Sequence, residues 1–154
     1  MTELLPRLRR FARSLTGDPH DADDVVQIAL ERALARMSQW REEAGGLDAW
    51  MFAIVRNAWL DEVRSRQRRG RMFAPEDEGL TVGAATLDTH LQGVSVEAAM
   101  ARLPVDQREA VALVLVEGFS YREAAALLEV PIGTLTSRLA RGRQALQSML
   151  GDSK

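Results

Sequence analysis

The sequence contains no cysteine among its 154 residues, which excludes disulfide bonds, thiolate metal sites and cysteine catalysis. No apolar run approaches the roughly 18 residues that a membrane-spanning helix needs, so we expect no membrane insertion. The opening stretch MTELLPRLRRFARSL places charges among its apolar residues and lacks a cleavage-type segment, so it does not predict a signal peptide. We therefore expect a cytoplasmic protein.

The sequence also has little of the chemistry that catalysis requires. Its two histidines, His20 and His90, stand apart from any carboxylate cluster with metal-ligand spacing. It has no P-loop, no nucleophile elbow and no convergent set of histidine, serine and aspartate. We therefore predict that the protein is not an enzyme, has no catalytic residues, and holds neither a metal nor another cofactor.

The charge balance is close to neutral but unevenly distributed. A formal net charge of −2 argues against tight, autonomous DNA binding, because phosphate contacts supply most non-specific affinity. Residues 1–71 hold 13 basic and 11 acidic side chains, residues 72–95 hold four acidic and no basic ones, and residues 96–154 hold seven of each. Local basic clusters therefore flank an acidic middle.

Helical patterns occupy both ends of the sequence, and no stretch shows convincing strand alternation. The apolar segment AVALVLVEG at 110–118 is ambiguous, but its alanine and leucine content favours a helix. Residues 72–95 mix proline, glycine, threonine and acids without a sustained period, which indicates a linker. We predict an all-α fold of two small helical domains, at 1–71 and 96–154, joined by a flexible acidic linker at 72–95.

The segment from Ser120 onward has the pattern of a helix-turn-helix. Ser120 and Glu123 form a capping-box pair that opens one helix, and Pro131 suits the first turn of the next. A solvated surface helix can also carry three arginines, whereas arginines and hydroxyls near a helix N-terminus suit reading of the DNA major groove. Winding the second helix at about 100° per residue predicts a buried stripe of Leu135, Leu139, Gly142 and Leu146 beside a polar face of Thr134, Ser137, Arg138 and Arg141.

An earlier stretch, TGDPHDADDVVQIALERALARM, predicts a helix that Asp18 caps and Pro19 begins. One exposed face of this helix carries Asp24, Gln27 and Glu31. That face is either simply solvated or docks a protein partner, and the stretch by itself favours solvation. The predicted core stripe of the helix consists of Val26, Leu30, Ala33 and Met37.

A long third helix is predicted for LDAWMFAIVRNAWLDEVRSRQRRGR. Its end carries five arginines between Arg64 and Arg71 with no acid among them, which is typical of a phosphate-binding surface. The alternative is a solubilising tail. The predicted core residues of this helix are Trp50, Ile54, Val55 and Ala58.

Together these segments resemble bacterial sigma factors of the extracytoplasmic-function (ECF) type. DADDVVQIALERAL is similar to the family's region 2.2, which docks on the clamp helices of RNA polymerase core. LPVDQREAVALVLVEGFSYREAAALLEVPIGTLTSRLARGRQAL resembles the family's domain 4, whose helix-turn-helix reads the −35 element. AWMFAIVRNAWLDEVRSRQRR matches the family's pattern I-x-R-N-x-x-x-D-x-x-R at Ile54, Arg56, Asn57, Asp61 and Arg64.

The resemblance implies a sigma factor that binds polymerase core, recognises the −35 and −10 promoter elements and aids strand opening. The implied partners are the clamp helices and flap of the core, promoter DNA and an anti-sigma factor. Core binding is implied for Asp24, Gln27 and Glu31. Contact with the −35 element is implied for Thr134, Ser137, Arg138, Arg141 and Arg143. Contact with the −10 element is implied for Arg56, Asn57, Asp61, Arg64 and Arg68, beside a base-capturing loop at 41–49.

Two positions depart from the family pattern. Ile28 stands where an acidic residue usually follows the glutamine of region 2.2, so an apolar contact would replace a charge there. Thr136 stands where the recognition helix commonly has lysine or arginine, so one DNA contact is missing or different.

Two other functions fit parts of the sequence. A sigma-like decoy would sequester an anti-sigma factor without reading promoters, but such decoys usually lose the basic residues that both predicted DNA surfaces keep here. A dimeric helix-turn-helix transcriptional regulator would leave the first 71 residues unexplained, and the sequence shows no heptad or other dimer seam.

Overall fold

The computed structural model describes residues 4–40, 46–70 and 95–151. We call the described residues up to Gly70 the N-terminal half and residues 95–151 the C-terminal half. The predicted linker lies outside the described residues except for Ser95, whose hydroxyl accepts a hydrogen bond from the Ala98 amide at 3.0 Å and caps a helix. Residues 41–45 of the predicted base-capturing loop also lie outside the described residues.

The N-terminal half consists of three helices packed against one another. They are α1 (Leu4–Thr16), α2 (Pro19–Arg36, continued by a 3-10 turn at Met37–Gln39) and α3 (Leu47–Arg69). The predicted start of α2 is confirmed, since the Asp18 carboxylate accepts a hydrogen bond from the His20 amide at 3.4 Å and Pro19 is the first helical residue. Because α3 begins at Leu47, the end of the predicted base-capturing loop is its first helical turn.

The core of the N-terminal half matches the predicted stripes in part. On α2 Val26 and Ala33 are buried and Leu30 is half-buried, but Met37 is exposed, so that prediction was wrong. The α-helix ends at Arg36, and the tighter turn that follows points Met37 away from the core. Trp50 on α3 is only half-buried and packs its ring on Trp40 at a centroid distance of 6.4 Å. The buried residues of α2 and α3 are Ala22, Val25, Val26, Ala29, Ala33, Met51, Phe52, Ile54, Val55 and Ala58.

The C-terminal half is also helical. It contains α4 (Val96–Arg102), α5 (Val105–Val111), a π-helical turn (Ala112–Val116), α6 (Tyr121–Leu128) and α7 (Ile132–Gly151). The ambiguous segment AVALVLVEG is therefore helical, as predicted, with one wider turn: the Glu117 amide donates to the Ala112 carbonyl at 2.9 Å. Gly118, with φ of +84°, ends this turn in the left-handed region that favours glycine.

Helices α5 and α7 approach each other closely at Gly142. A Cβ atom at this position would lie 2.7 Å from Cγ2 of Val111 and 3.3 Å from the carbonyl oxygen of Gln107. On the same face Leu135 and Leu139 are fully buried, which confirms the predicted stripe up to Gly142, whereas Leu146 is only half-buried. The position of α7 is thus fixed by close contact with α5.

The two halves share one apolar cluster. The ring of Phe52 on α3 packs edge-on against the ring of Phe119, with centroids 5.0 Å apart, and also contacts Phe11 on α1 at 5.1 Å. Although the sequence predicted two helical units, it did not predict that they pack together. Within the described ranges, no helix is both long enough and apolar enough to cross a bilayer.

Candidate nucleic-acid interface

The helix-turn-helix is built from α6 and α7. Its capping box is present as predicted: the Glu123 amide donates to the Ser120 hydroxyl at 3.0 Å, and the Ser120 amide donates to the Glu123 carboxylate at 2.9 Å. Glu129 ends α6 with φ of +59°, in the left-handed region. Pro131 precedes the first residue of α7, so it is the N-cap and not a first-turn residue, and its carbonyl accepts from the Leu135 amide at 3.1 Å.

The predicted polar face of α7 points away from the core. Ser137, Arg141 and Arg143 are exposed, and Thr134 is half-buried. Arg138 is also half-buried, with Nε 3.6 Å from a carboxylate oxygen of Asp106 on α5. The face therefore presents one exposed guanidinium group, that of Arg141, and one that Asp106 partly holds, while Arg143 is exposed outside this face.

Thr136 lies beside this face and is exposed. Its hydroxyl donates to the Ile132 carbonyl one turn earlier at 2.9 Å, a bond that competes with any use of this donor by DNA. The basic side chain that the family resemblance leads us to expect here is thus replaced by a hydroxyl engaged with its own helix.

The predicted −10 residues lie along α3. Asn57, Asp61, Arg64 and Arg68 are exposed, whereas Arg56 is turned toward the C-terminal half. Asp61 accepts from Arg64 at 3.4 Å and also forms an ion pair with Arg32 of α2 at 2.8 Å. We infer that Asp61 orients arginines on this surface, because a carboxylate itself would repel phosphate. Arg32 was not found from the sequence, since nothing in its local pattern indicates a partner on another helix.

The arginine-rich end of α3 is only partly free for a ligand. Arg66 donates to both carboxylate oxygens of Asp21 on α2, at 2.8 and 3.1 Å, and to Glu62 at 3.1 Å. The hydrogen bonds from Arg66 lower the pKa of Asp21 below its ordinary value, although burial opposes this shift. Arg66 therefore joins α2 to α3, while Arg64 and Arg68 remain exposed.

The third predicted surface is the outer face of α2. Asp24, Gln27 and Glu31 are all exposed there. Together with the half-buried Ile28 they line an open groove of about 290 Å³, whose rim also includes Arg66. The face combines negative charge with an apolar side chain, which suits a protein partner better than DNA. Within the described ranges, no group of three or more histidine, aspartate or glutamate side chains is placed to hold a metal ion.

Known protein families match both halves of the chain. The family description "Sigma-70 region 2" matches residues 1–69, and "Sigma-70, region 4" matches residues 93–146. The chain is 40% identical to the ECF RNA polymerase sigma factor EcfG of Rhodopseudomonas palustris (strain TIE-1) over 95% of this chain and 80% of the relative. The chain belongs to the ECF family of RNA polymerase sigma factors. It is also 36% identical to the ECF sigma factor SigM of Mycobacterium tuberculosis, over 94% of this chain and 72% of the relative.

Two solved structures resemble this sigma factor across both halves. One is the sigma factor RpoE of Bartonella quintana bound to the anti-sigma factor NepR, with a TM-score of 0.78, 31% identity, and coverage of 99% of this chain and 95% of that one. The other is CnrH in complex with the cytosolic domain of CnrY, with a TM-score of 0.67, 26% identity, and coverage of 97% and 83%.

Proposed function

We propose that this sigma factor directs RNA polymerase core to promoters through three separate surfaces. The outer face of α2 docks on the core, α3 contacts the −10 element, and α7 contacts the −35 element. The observation that carries the proposal is the pattern of exposure: at least three predicted contact residues on each surface are exposed, while apolar residues of the same helices are buried.

The −35 contact is assigned to the N-terminal part of α7. Arg141 can bond bidentately to guanine, Ser137 can donate to a phosphate or a base edge, and the exposed Arg143 would contact phosphates. Arg138 joins this set by releasing Asp106, an exchange that costs little because the 3.6 Å pair is partly solvated.

The −10 contact is assigned to α3, where Asn57, Arg64 and Arg68 are exposed. Capture of an unstacked base beside this helix would favour strand opening, because the captured base cannot return to the stack. The polymerase supplies the chemistry of RNA synthesis, and this chain supplies promoter recognition and melting.

Core docking makes the weak DNA contacts effective. The net charge of −2 provides little attraction to phosphate, so each half alone should bind DNA poorly. Binding of Asp24, Gln27 and Glu31 to the core would hold both halves at one promoter and convert two weak contacts into a bivalent one. We place this activity in the cytoplasm, where the polymerase works.

We also propose an anti-sigma factor as a regulatory partner. The support is that one similar solved structure is a sigma factor in complex with an anti-sigma factor, and that the similarity extends over 99% of this chain.

Transcription assays with the purified chain test the proposed function. Adding the chain to core polymerase should yield promoter-specific transcripts, and Arg141→Ala should reduce them. Arg9→Ala, an exposed arginine of α1 outside all three surfaces, is the matched control and should have little effect. Tight binding to palindromic DNA without core would instead support a dimeric regulator, and binding only to an anti-sigma protein would support a decoy.

A further inference from the structure

The half-buried arginine on the polar face of α7 lies beside a carboxylate of the same half. Nε of Arg138 is 3.6 Å from Oδ2 of Asp106 on α5, and the two side chains are 27% and 51% exposed. This distance is too long for a hydrogen bond, so the contact is an ion pair between two partly solvated groups. Such a pair contributes little to stability, and its place at the edge of the predicted −35 surface indicates a role in DNA recognition.

The carboxylate of Asp106 is held by the backbone of its own helix. Its Oδ1 accepts a hydrogen bond from the Gln107 amide at 2.8 Å, in the first turn of α5. Because Oδ1 is engaged in this way, Oδ2 is the oxygen that faces Arg138. The backbone of α5 therefore fixes the negative charge beside the −35 surface.

The close approach of α7 to α5 brings the two charges together. A Cβ atom added at Gly142, one turn after Arg138, would lie 3.3 Å from the carbonyl oxygen of Gln107 and 3.5 Å from its Cβ. Gln107 directly follows Asp106 in the chain. Residues four positions apart share one face of a helix, so Arg138 and Gly142 meet the same part of α5. The ion pair thus depends on the glycine that sets the spacing of the two helices.

Arg138 can leave this pair, but Asp106 cannot follow it. The arginine side chain has several rotatable bonds and is partly solvated, whereas the bond to the Gln107 amide holds the carboxylate on α5. Any DNA group that Arg138 binds must therefore be accepted close to a fixed negative charge.

This fixed charge affects the two kinds of DNA ligand differently. A phosphate oxygen is negatively charged, so the carboxylate of Asp106 repels it. The O6 and N7 atoms of guanine are uncharged acceptors that an arginine can bond bidentately, and they meet little of this repulsion. Asp106 therefore lowers the affinity of Arg138 for phosphate more than its affinity for guanine.

We propose that Asp106 is a specificity-determining residue that directs Arg138 to a base edge of the −35 element and away from the phosphates. It is a positioning residue, because it acts through Arg138 and needs no DNA contact of its own. The proposal rests on the proposed function, which supplies the −35 element as the ligand of α7.

Selection from a library of random DNA duplexes by the complex of the full chain with core polymerase tests the proposal. Sequencing of the bound DNA gives the preference for each base at each −35 position, and any effect that is equal for all sequences cancels from these ratios. Arg138→Ala should abolish the preference at one position, which identifies the base pair that Arg138 reads. Asp106→Asn, which keeps an acceptor for the Gln107 amide, should reduce the preference at that position about two- to fivefold and leave the other positions unchanged.

Glu97→Gln is the matched control. Glu97 is exposed and is the second residue of α4, as Asp106 is of α5, so both changes remove one negative charge from the same helical position. The control should leave every base preference unchanged. Binding to DNA should also depend more steeply on salt in Asp106→Asn than in Glu97→Gln, because Arg138 then contacts a phosphate and a further counterion is released.

Three results would overturn the role of Asp106. They are an unchanged or stronger preference in Asp106→Asn, an equal loss of preference at all −35 positions, and a salt dependence equal to that of Glu97→Gln. If the complex selects no preferred sequence at all, the proposed function fails and this inference fails with it. If it selects preferred sequences and the position read by Arg138 does not respond to Asp106→Asn, only this inference fails.

Discussion

Nε of Arg56 lies 2.7 Å from Oε2 of Glu109, and the two residues, 53 positions apart, join the two halves of the chain. Both side chains are largely withdrawn from water. Burial raises the pKa of Glu109, and the hydrogen bond and charge of Arg56 oppose the shift without cancelling it. The cost of desolvating a buried ion pair offsets much of the attraction between its charges. The pair therefore determines the relative position of α3 and α5 but adds little to the stability of their contact.

The raised pKa of Glu109 predicts that stability falls as the pH rises above the ordinary glutamic acid value of 4.5. A carboxyl group with a raised pKa binds its proton more tightly in the folded chain than in the unfolded chain. The contribution of Glu109 to the free energy of unfolding is complete below pH 4.5 and is lost as the pH rises through the raised pKa. Urea unfolding midpoints between about pH 5 and about pH 7 should show this slope. Glu109→Gln should flatten it, and an unchanged slope would show that another group titrates.

Replacement of Arg108 by methionine should destabilise the chain by about 2–4 kcal/mol. Its guanidinium donates to carbonyls at the ends of two helices: Ser14 and Leu15 of α1 at 3.2 and 3.3 Å, and Met100, Ala101 and Leu103 at and after the end of α4 at 3.0, 3.2 and 2.8 Å. Burial lowers the pKa of Arg108, yet an arginine stays charged at neutral pH. Chemical denaturation measures the loss.

Arg102→Met is the matched control for the change at Arg108. Arg102 is exposed in the last turn of α4, so its replacement should change stability by less than about 0.5 kcal/mol. Equal losses in the two variants would show that the carbonyl contacts of Arg108 contribute nothing specific.

Gly142→Ala should lower the stability of the C-terminal half. The new methyl group would meet Val111 at 2.7 Å, and overpacking of this kind costs about 1–3 kcal/mol. The higher helix propensity of alanine returns up to about 1 kcal/mol, so we expect a net loss. Gly133→Ala is the control on the same helix, because nothing lies within 4 Å of its added Cβ, and it should be neutral or stabilising. Urea denaturation of both variants measures these changes in the free energy of unfolding. If Gly142→Ala were the more stable of the two variants, the close contact of α5 and α7 would be contradicted.

Arg138→Ala and Arg68→Ala should affect promoter binding differently. Loss of Arg138 should reduce discrimination at one −35 base pair by about 1–3 kcal/mol, whereas loss of Arg68 should weaken binding about equally for all sequences and reduce its salt dependence. Binding of the polymerase complex to a set of promoters with single base changes measures both effects. If both variants weaken every promoter equally, the division into base-reading and phosphate-binding arginines is wrong.

The sequence predicted features that depend on near neighbours. The capping box of Ser120 and Glu123 and the cap at Asp18 form between residues two or three positions apart, so their chemistry is visible in the local pattern. The buried stripe of α7 follows in the same way from helical spacing, because Leu135 and Leu139 are one turn apart.

Features that depend on distant residues were not predicted. The five arginines between Arg64 and Arg71 have no acid among them, yet Arg66 is paired with Asp21, 45 positions earlier. Glu117 meets Arg7 across 110 positions, and no periodicity or motif indicates such a pair. A single sequence shows which side chains carry charge, but the fold decides which of them remain free for a ligand.

The Phe52–Phe119 contact also has a consequence during translation. Phe119 leaves the ribosome 67 residues after Phe52, a delay of roughly 3–13 s at a synthesis rate of about 5–20 residues per second. During this interval the three N-terminal helices can fold, but the cover over Phe52 and Arg56 does not yet exist. Each new molecule therefore begins with Phe52 and Arg56 uncovered, and their contacts with Phe119 and Glu109 form only after those later residues have been made.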